Sequence, residues 1–412
     1  MSGQVNLRTR ISAALPPGFR RVASGVEDAV ASRLYVPAHL RFWLRDAALS
    51  GASVAPRSVC ERALVDWLKR AQDAADGGGV AAYYDFNDGW SAGYPETTGY
   101  IIVTALQAAA RLDDFDLKER ARRMADWELG IQLPEGAWQG GVVSAPRIPS
   151  VFNTGQIVQG MVAAASAFGN QSYLDAAAKA GRWLGLQQDT DGAWRRYTYN
   201  DFPNAYSTRV AWPLISLADA AGEPEFRRTA VRYLEWAARC QDESGWFSNC
   251  TLEPGTDALT HTLAYTIEGF IEAGVLLRDE RWITIGRRAA DVLLRRHELR
   301  GRLAGAYASG WRGDFSYNCV TGSAQMGRIW GRLFSLTDDA RYLNAALKIN
   351  DYVSGLVDLA SVHEGLRGGL KGSDPVWGPY MRFRMPSWAA KFALDSFFHE
   401  ADGLARLEEN NR

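Results

Sequence analysis

The stretch VFNTGQIVQGMVAAASAFGNQSYLDAAAKAGRWLGLQQDTDGAW, Val151 to Trp194, decides the fold. In its first half Ile157, Met161, Val162, Ala165 and Phe168 fall at three-to-four spacing, the apolar stripe of an amphipathic helix. Gly169-Asn170 stops that helix. A second one opens at Ser172-Tyr173-Leu174-Asp175, carries Leu174, Ala178, Trp183, Leu184 and Leu186 on a similar stripe, and ends in QQDTDGAW. The unit is a helical hairpin.

The same pattern occurs six times, with copies starting at YPETTGY (Glu96), VFNTGQI (Asn153), AYSTRVA (Tyr206), LTHTLAY (His261), NCVTGSA (Asn318) and MPSWAAK (Ser387). These markers stand 57, 53, 55, 57 and 69 residues apart, a period of about fifty-five that fits two helices and a loop. The marker position is never apolar, although the helix it opens is largely so. Six dissimilar polar groups therefore converge on one place if the repeats close.

Closure is the expected outcome. The first helix of each copy is rich in small and apolar residues around most of its circumference. The second helices, such as GEPEFRRTAVRYLEWAARC and RDERWITIGRRAADVLLRR, carry Arg, Lys and Asp on an outward face. An inner ring sheathed by an outer ring follows. The last copy, PSWAAKFALDSFFHEADGL, supplies only one helix, and VCERALVDWLKRAQDAAD near the N-terminus is available to complete it. The expectation is an all-α, closed (α/α)6 toroid over residues 58–412 in place of an open solenoid with polar caps. Residues 1–57, with LPPGF, SGVEDAVASRLY and PAHLRFWLRDAAL, are expected to form an N-terminal extension packing on the barrel.

Composition narrows the classes. With 412 residues, 47% of them apolar, the chain can bury a large core, and a net charge of −1 leaves no general basic field for nucleic acid. No stretch approaches the ~18 apolar residues of a membrane helix. The arginine-bearing N-terminus, MSGQVNLRTRISAALPPGFRR, has no apolar run followed by a cleavage site, so no secretory signal is expected and the expected location is cytoplasmic. Cys60, Cys240, Cys250 and Cys319 form no CxxC pair and read as buried or free thiols of a reducing compartment.

QLPEGAW (Gln132 to Trp138) and QDTDGAW (Gln188 to Trp194) fit a Q-x-x-x-G-x-W motif, and QDESGWF (Gln241 to Phe247) nearly does. On these motifs the chain resembles the toroids of the squalene-cyclase and prenyltransferase type. The resemblance implies a structural role: a glutamine amide and a stacked tryptophan tie the end of an outer helix to the next hairpin. Function does not carry over with the fold. The D-x-D-D acid of terpene cyclases is missing, since Asp113, Asp114 and Asp116 fall in a hairpin turn. No cysteine stands near His261 in the repeat frame to build a prenyltransferase zinc site. No metal and no cofactor is therefore expected, and terpenoid cyclisation has the least support of the enzyme readings.

GYPETTGYII, FNTGQIVQGM, THTLAYTIEG, NCVTGSAQM and PVWGPYMRFRMPSWAAKF span most of residues 93 to 392. Through them the chain resembles carbohydrate-active toroids, in particular helical-barrel proteins of polysaccharide biosynthesis and uronate processing. Uronate lyases of this shape combine Asn, His, Tyr and Arg around the cavity, and glucuronyl C5-epimerases run related chemistry on a helical barrel accompanied by β-domains. Their local motifs do not align here, so the resemblance implies roles by residue type and repeat position.

Abstracting the C5 proton of a uronate requires a base, a group that neutralises the carboxylate, and an acid on the leaving oxygen or the opposite ring face. By position, Asn153 and Gln156 are candidates to hydrogen-bond the carboxylate and Arg209 to pair with it. His261 with Tyr206 or Tyr265 is the candidate base and acid. Inverting hydrolysis needs instead two carboxyl groups about 6.5–9.5 Å apart. Glu96 is then the leading acid, with Asp257, Glu268, Asp314 and Asp374 as partners; Asp257 is expected at the same rim as His261. Plainer readings compete: Glu96 favoured by the helix dipole, Asn153 as a cap, His261 and Tyr206 as core residues.

Many aromatic residues stand beside Gly, Asp and Asn in loops, among them Trp90, Tyr197, Trp311, Trp377 and Tyr380. Flat rings among polar groups suit stacking on pyranose faces better than a terpene. Arg195, Arg196, Arg382 and Arg384 are placed to receive an anionic glycan, and GWRGDFSYN brings Arg312, Asp314 and Asn318 to one loop. The expected partner is thus a carbohydrate. The leading reading is a lyase or C5-epimerase on a uronate-containing saccharide, followed by an inverting glycoside hydrolase, with a non-catalytic glycan-binding toroid as the third class.

Overall fold

A computed structural model of the chain describes residues 33–48, 55–75, 78–144 and 146–410. LPPGF and most of SGVEDAVASRLY lie outside the described residues. The helices are α1 (Pro37–Ala47), α2 (Arg57–Asp73), α3 (Pro95–Leu112), α4 (Phe115–Ile131), α5 (Val151–Phe168), α6 (Gln171–Gln187), α7 (Thr208–Ala221), α8 (Pro224–Ala238), α9 (Thr260–Leu277), α10 (Glu280–Arg300), α11 (Val320–Thr337), α12 (Ala340–Gly355) and α13 (Ser387–Asn410). Odd-numbered helices from α3 onward form the inner ring: α3 packs on α5, then α7, α9, α11 and α13 follow in turn, and α13 returns to α3. Even-numbered helices sheath them. Helix α2 lies against α13 and completes the sixth hairpin from the opposite end of the chain. The (α/α)6 toroid expected from the repeats is the fold found.

Five hairpins turn in the same way. The inner helix ends on a left-handed residue, Asp113, Gly169, Gly222, Arg278 or Asp338, at φ between 51° and 69°. The next residue then starts the outer helix. Asp114, Asn170, Asp279 and Asp339 each cap theirs by accepting a backbone N–H, as from Leu117 at 2.9 Å and from Ser172 at 3.0 Å.

The Q-x-x-x-G-x-W motifs fasten each outer helix to its neighbour. The Gln132 amide donates to Gly136 O and across to Ala176 O of α6, at 2.9 and 2.8 Å. Gln188 does the same with Gly192 and Thr229 of α8, and Gln241 with Gly245 and Ile285 of α10. The Trp138 and Trp194 indoles donate back to the carbonyls of Glu128 and Leu184. The central residue must be glycine: Gly192 has φ +95°, and a Cβ there would sit 2.4 Å from Arg232 O.

Short strands decorate the end of the ring where the inner helices begin: β1 (Tyr83–Asp85), β2 (Gly89–Trp90), β3 (Ala258–Leu259), β4 (Ala306–Ala308), β5 (Arg312–Asp314), β6 (Asn318–Cys319), β7 (Ser373–Asp374) and β8 (Arg384–Pro386). They pair as β2-β1-β8, β3-β4-β5 and β6-β7. Strand β1 meets β8 with Tyr84 opposite Met385, a backbone seam between the two ends of the ring. Helix α1 is tied on by Arg45 to Asp358 at 3.0 Å and by Asp46, which accepts from Lys371 and from the Val376 N–H.

Two outcomes test this packing. Gly192→Ala should lower stability by at least about 2 kcal/mol in urea denaturation, from the positive φ and the steric conflict together; an unchanged midpoint would contradict the fastening. Glu128, on α4, is fully buried with neither carboxylate oxygen hydrogen-bonded, and burial holds its pKa well above the ordinary range. Its contribution is complete below the unfolded-state pKa of about 4.3 and is lost as pH rises toward the folded value. Glu128→Gln should therefore melt above the wild type at neutral and alkaline pH, with the gap closing in acid.

Candidate functional site

The inner-helix starts open into a cavity of about 1080 Å³. Its deeper wall includes Tyr94, Glu96, Tyr100, Phe152, Asn153, Tyr206, His261, Tyr265, Tyr380 and Trp388, and its mouth includes Ile148 and the run Arg195 to Asp201. Four of the six repeat starts thus line one cavity.

Glu96 stands in the first turn of α3, where the helix dipole favours a carboxylate. Burial nevertheless raises its pKa to about 7, against the opposing pull of the Tyr94 hydroxyl, which donates to Oε2 at 2.6 Å, and of the Arg209 charge. Near neutral pH this side chain exists in both forms. His261, in the first turn of α9, moves the other way: burial lowers its pKa to about 4, helped by Arg209 and resisted by the Gln325 side chain, which lies 2.7 Å from Nδ1. Its imidazole is neutral at physiological pH. The ring lies 4.2 Å from the Tyr265 ring and 5.7 Å from that of Tyr380.

The tyrosines are held protonated. Burial, then the Glu96 charge, raises the Tyr206 and Tyr265 hydroxyls, and burial raises Tyr380, whose oxygen accepts from the Trp388 indole at 2.8 Å. Asn153 lies on the wall, but its amide is already engaged, donating to Gln139 O at 3.2 Å and accepting from Ser150 Oγ at 3.0 Å. Ser150, one turn earlier, is the cap of α5.

Other sequence candidates lie elsewhere. Arg209 and Gln156 do not line the cavity. Arg209 is 1% exposed, pairs with Glu268 at 2.8 Å and donates from Nε to Gln156 Oε1 at 3.2 Å, while the Gln156 amide donates to the Arg209 carbonyl. A buried guanidinium needs such partners, and although Arg209 Nη2 has no hydrogen-bond partner, neither side chain reaches the cavity lining. The same network takes Glu268 out of the hydrolytic set: Arg328 bonds it too, and Arg328 and Arg332 hold Glu272. Asp374 is taken by Tyr352 and Lys371. Asp257 and Asp314 are exposed and outside the cavity, because the β3-β4-β5 sheet carries them away from the mouth.

The fifth and sixth starts also serve the scaffold. Asn318 donates to Leu303 O and accepts from Ser323, and Ser387 donates to Ala82 O. Trp90 packs on Trp67 and Tyr84, Trp311 on Trp246 with its indole bonded to Ser244 O, and Trp377 on Trp43. These rings fill gaps between strands and helices, so they present no face to the cavity. Sequence reasoning missed Tyr94, Tyr100, Phe152 and Trp388. Tyr94, Phe152 and Trp388 each stand within two residues of a repeat marker, a signal that was present; Tyr100, a turn further along its helix, carried none. No group of three or more His, Cys, Asp or Glu residues suited to a metal occurs among the described residues.

No protein-family model and no curated protein sequence matches the chain. Solved structures do. An unsaturated glucuronyl hydrolase specific for heparin superposes with a TM-score of 0.66 at 14% identity, over 83% of this chain and 96% of that one. Cellobiose 2-epimerase from Spirochaeta thermophila gives 0.66 at 15% identity, over 83% and 95%. Unsaturated glucuronyl hydrolase from Bacillus sp. GL1 gives 0.61 at 16%, over 82% and 94%. At these identities the likeness establishes the toroid.

Since Arg209 belongs to the buried network, Arg209→Gln should cost about 3–5 kcal/mol of stability. It should also raise the pKa of both Glu96 and His261, whose charged and neutral forms respectively it favours. A variant as stable as the wild type, with a selective loss of saccharide binding, would return Arg209 to the substrate.

Proposed function

We propose that the protein is a carbohydrate-active enzyme that removes the C5 proton of a uronate-containing saccharide, as a lyase or C5-epimerase. The observation that carries the reading is a neutral imidazole and a carboxyl group of pKa about 7 on one cavity wall. His261 is the base and Glu96, in its protonated form, the acid, with the Tyr206 hydroxyl as a further donor. Both groups have the protonation state their task needs. The neighbours named for glucuronyl hydrolysis and sugar epimerisation support a saccharide in this fold.

Loss of Arg209 from the substrate side shifts the anion-binding role to the mouth. Arg195 is held by Asp189 and Asp191 at 2.7 and 2.8 Å, whereas Arg196 is exposed, has no carboxylate within ion-pair distance among the described residues, and lies over the Tyr197 ring at 5.3 Å. Arg196 is our candidate for the uronate carboxylate. The cavity volume exceeds what one sugar ring needs and fits an oligosaccharide. Hydrolysis is the second reading: Asp201 also lines the mouth, so Glu96 has a second carboxylate on the same cavity.

The test is incubation with uronate oligosaccharides in deuterated water, following unsaturated-product absorbance, deuterium at C5 and new reducing ends. Absorbance indicates elimination, and exchange without cleavage indicates epimerisation. Reducing ends alone would replace the reading with hydrolysis, and saccharide binding with no turnover would replace it with a glycan-binding toroid. His261→Ala should lower kcat by about 10²–10⁴-fold. In the wild type, kcat/KM should be highest between pH about 4 and about 7: it falls below as His261 takes up a proton, and above as Glu96 loses one. Arg196→Ala should raise KM for the uronate about tenfold, with kcat little changed.

A further inference from the structure

Gln325 does not line the cavity, yet among the described residues it makes the one side-chain hydrogen bond of His261. It is fully buried on α11, the inner helix next to the one that carries His261. The approach that lets it reach is set one turn earlier: a Cβ on Gly322 would lie 2.8 Å from the His261 amide nitrogen, so α11 meets the start of α9 backbone to backbone. Gln325 Oε1 then lies 2.7 Å from Nδ1, while its Nε2 has no partner. Among the described residues no protein group bonds the other ring nitrogen of His261, which is not sealed from the cavity.

We infer that Gln325 is a positioning residue that fixes His261 in the Nδ1–H tautomer, its carbonyl accepting that proton, so that the bare Nε2 lone pair faces the substrate. This deepens, and rests on, the reading of His261 as base. The tautomer decides between two chemistries. With the proton on Nδ1 the cavity meets a base; with the amide turned to donate to Nδ1, the cavity would meet an Nε2–H donor that removes nothing from carbon.

An amide suits this role better than a carboxylate. A carboxylate at position 325 would orient the ring equally but would also attract a second proton, filling the lone pair the reaction needs. The groups that face His261 are consistent with a neutral ring: the Arg209 cation from α7, the Tyr265 and Tyr380 hydroxyls, and the Cys319 thiol, which burial holds protonated and which receives the His261 backbone N–H. None of these brings a negative charge to it.

The experiment uses the full chain labelled with ¹⁵N-histidine. In the wild type without substrate, between pH about 5 and 8, the His261 resonances should show a protonated Nδ1 and a bare Nε2. Gln325→Leu should mix the tautomers and lower kcat at least about tenfold, with KM within about twofold of wild type. Gln325→Glu should restore the Nδ1–H tautomer but move the acid limb of kcat/KM upward by at least about one pH unit. A purely structural role for Gln325 predicts neither the tautomer change nor the displaced limb. An Nε2-protonated wild type, or a Leu variant with an unchanged spectrum and pH profile, overturns the inference. If the Leu variant does not fold, the wild-type spectrum and the Glu variant decide. His261→Ala with full turnover would sink the base reading instead, and the spectrum would still judge Gln325 separately.

Discussion

The distance between neighbouring inner helices governs everything that faces the cavity, and glycine sets that distance. A Cβ on Gly99 would fall 2.6 Å from Ile157 Cα, one on Gly155 2.6 Å from Val210, one on Gly269 2.4 Å from Thr208, and one on Gly322 2.8 Å from Thr260 and His261. Each contact joins two adjacent inner helices, and together they draw four of the six junctions of the ring tight. Side chains there would wedge the helices apart, because a packed interior does not absorb a methyl group without displacement. The helix starts would then separate, and Glu96, Asn153, Tyr206 and His261 would no longer share a wall.

A second constraint lies below that wall. Arg209, Arg328, Arg332 and Lys391 converge from α7, α11 and α13 on Glu268, Glu272 and Asp395, filling the bore with paired charge. Of these charges Arg209 acts on both candidate groups in the same direction, lowering their affinity for protons, while burial drives them apart: up for the carboxyl, down for the imidazole. Burial is the larger cause in each case. The separation of the two pKa values is thus a property of burial, with Arg209 as a correction.

The fold was legible in the sequence because it is repetitive: Asn170 and Asp339 mark hairpin turns, and Gln132, Gln188 and Gln241 mark their fastening, all through local rules that recur at a fixed period. The site was legible only in part, since a repeat position says which residues stand at the rim and not what each touches. Glu96 and His261, both at repeat starts, do line the cavity. Arg209 was misjudged by one turn of helix: three residues beyond Tyr206 the side chain points down the bore to Glu268, and no pattern in one sequence reveals that a carboxylate 59 positions later will claim it. Trp90, Trp311 and Trp377 were misjudged because loop composition cannot distinguish an aromatic that closes a strand pair from one that faces a ligand.

The relation between the two mechanisms now turns on how charge is distributed along the cavity. Hydrolysis by inversion needs two carboxyl groups in unlike states across one bond. Glu96 is deep and buried, whereas Asp201 is exposed at the mouth, where its carboxylate accepts the Tyr197 backbone N–H at 3.2 Å. His261 shares Glu96's level of burial and its wall, and it is neutral where Glu96 is half-protonated. On the proposed reading, proton transfer to and from a sugar carbon would draw on two buried groups of the cavity lining, whereas hydrolysis would have to recruit a partner from the solvent edge.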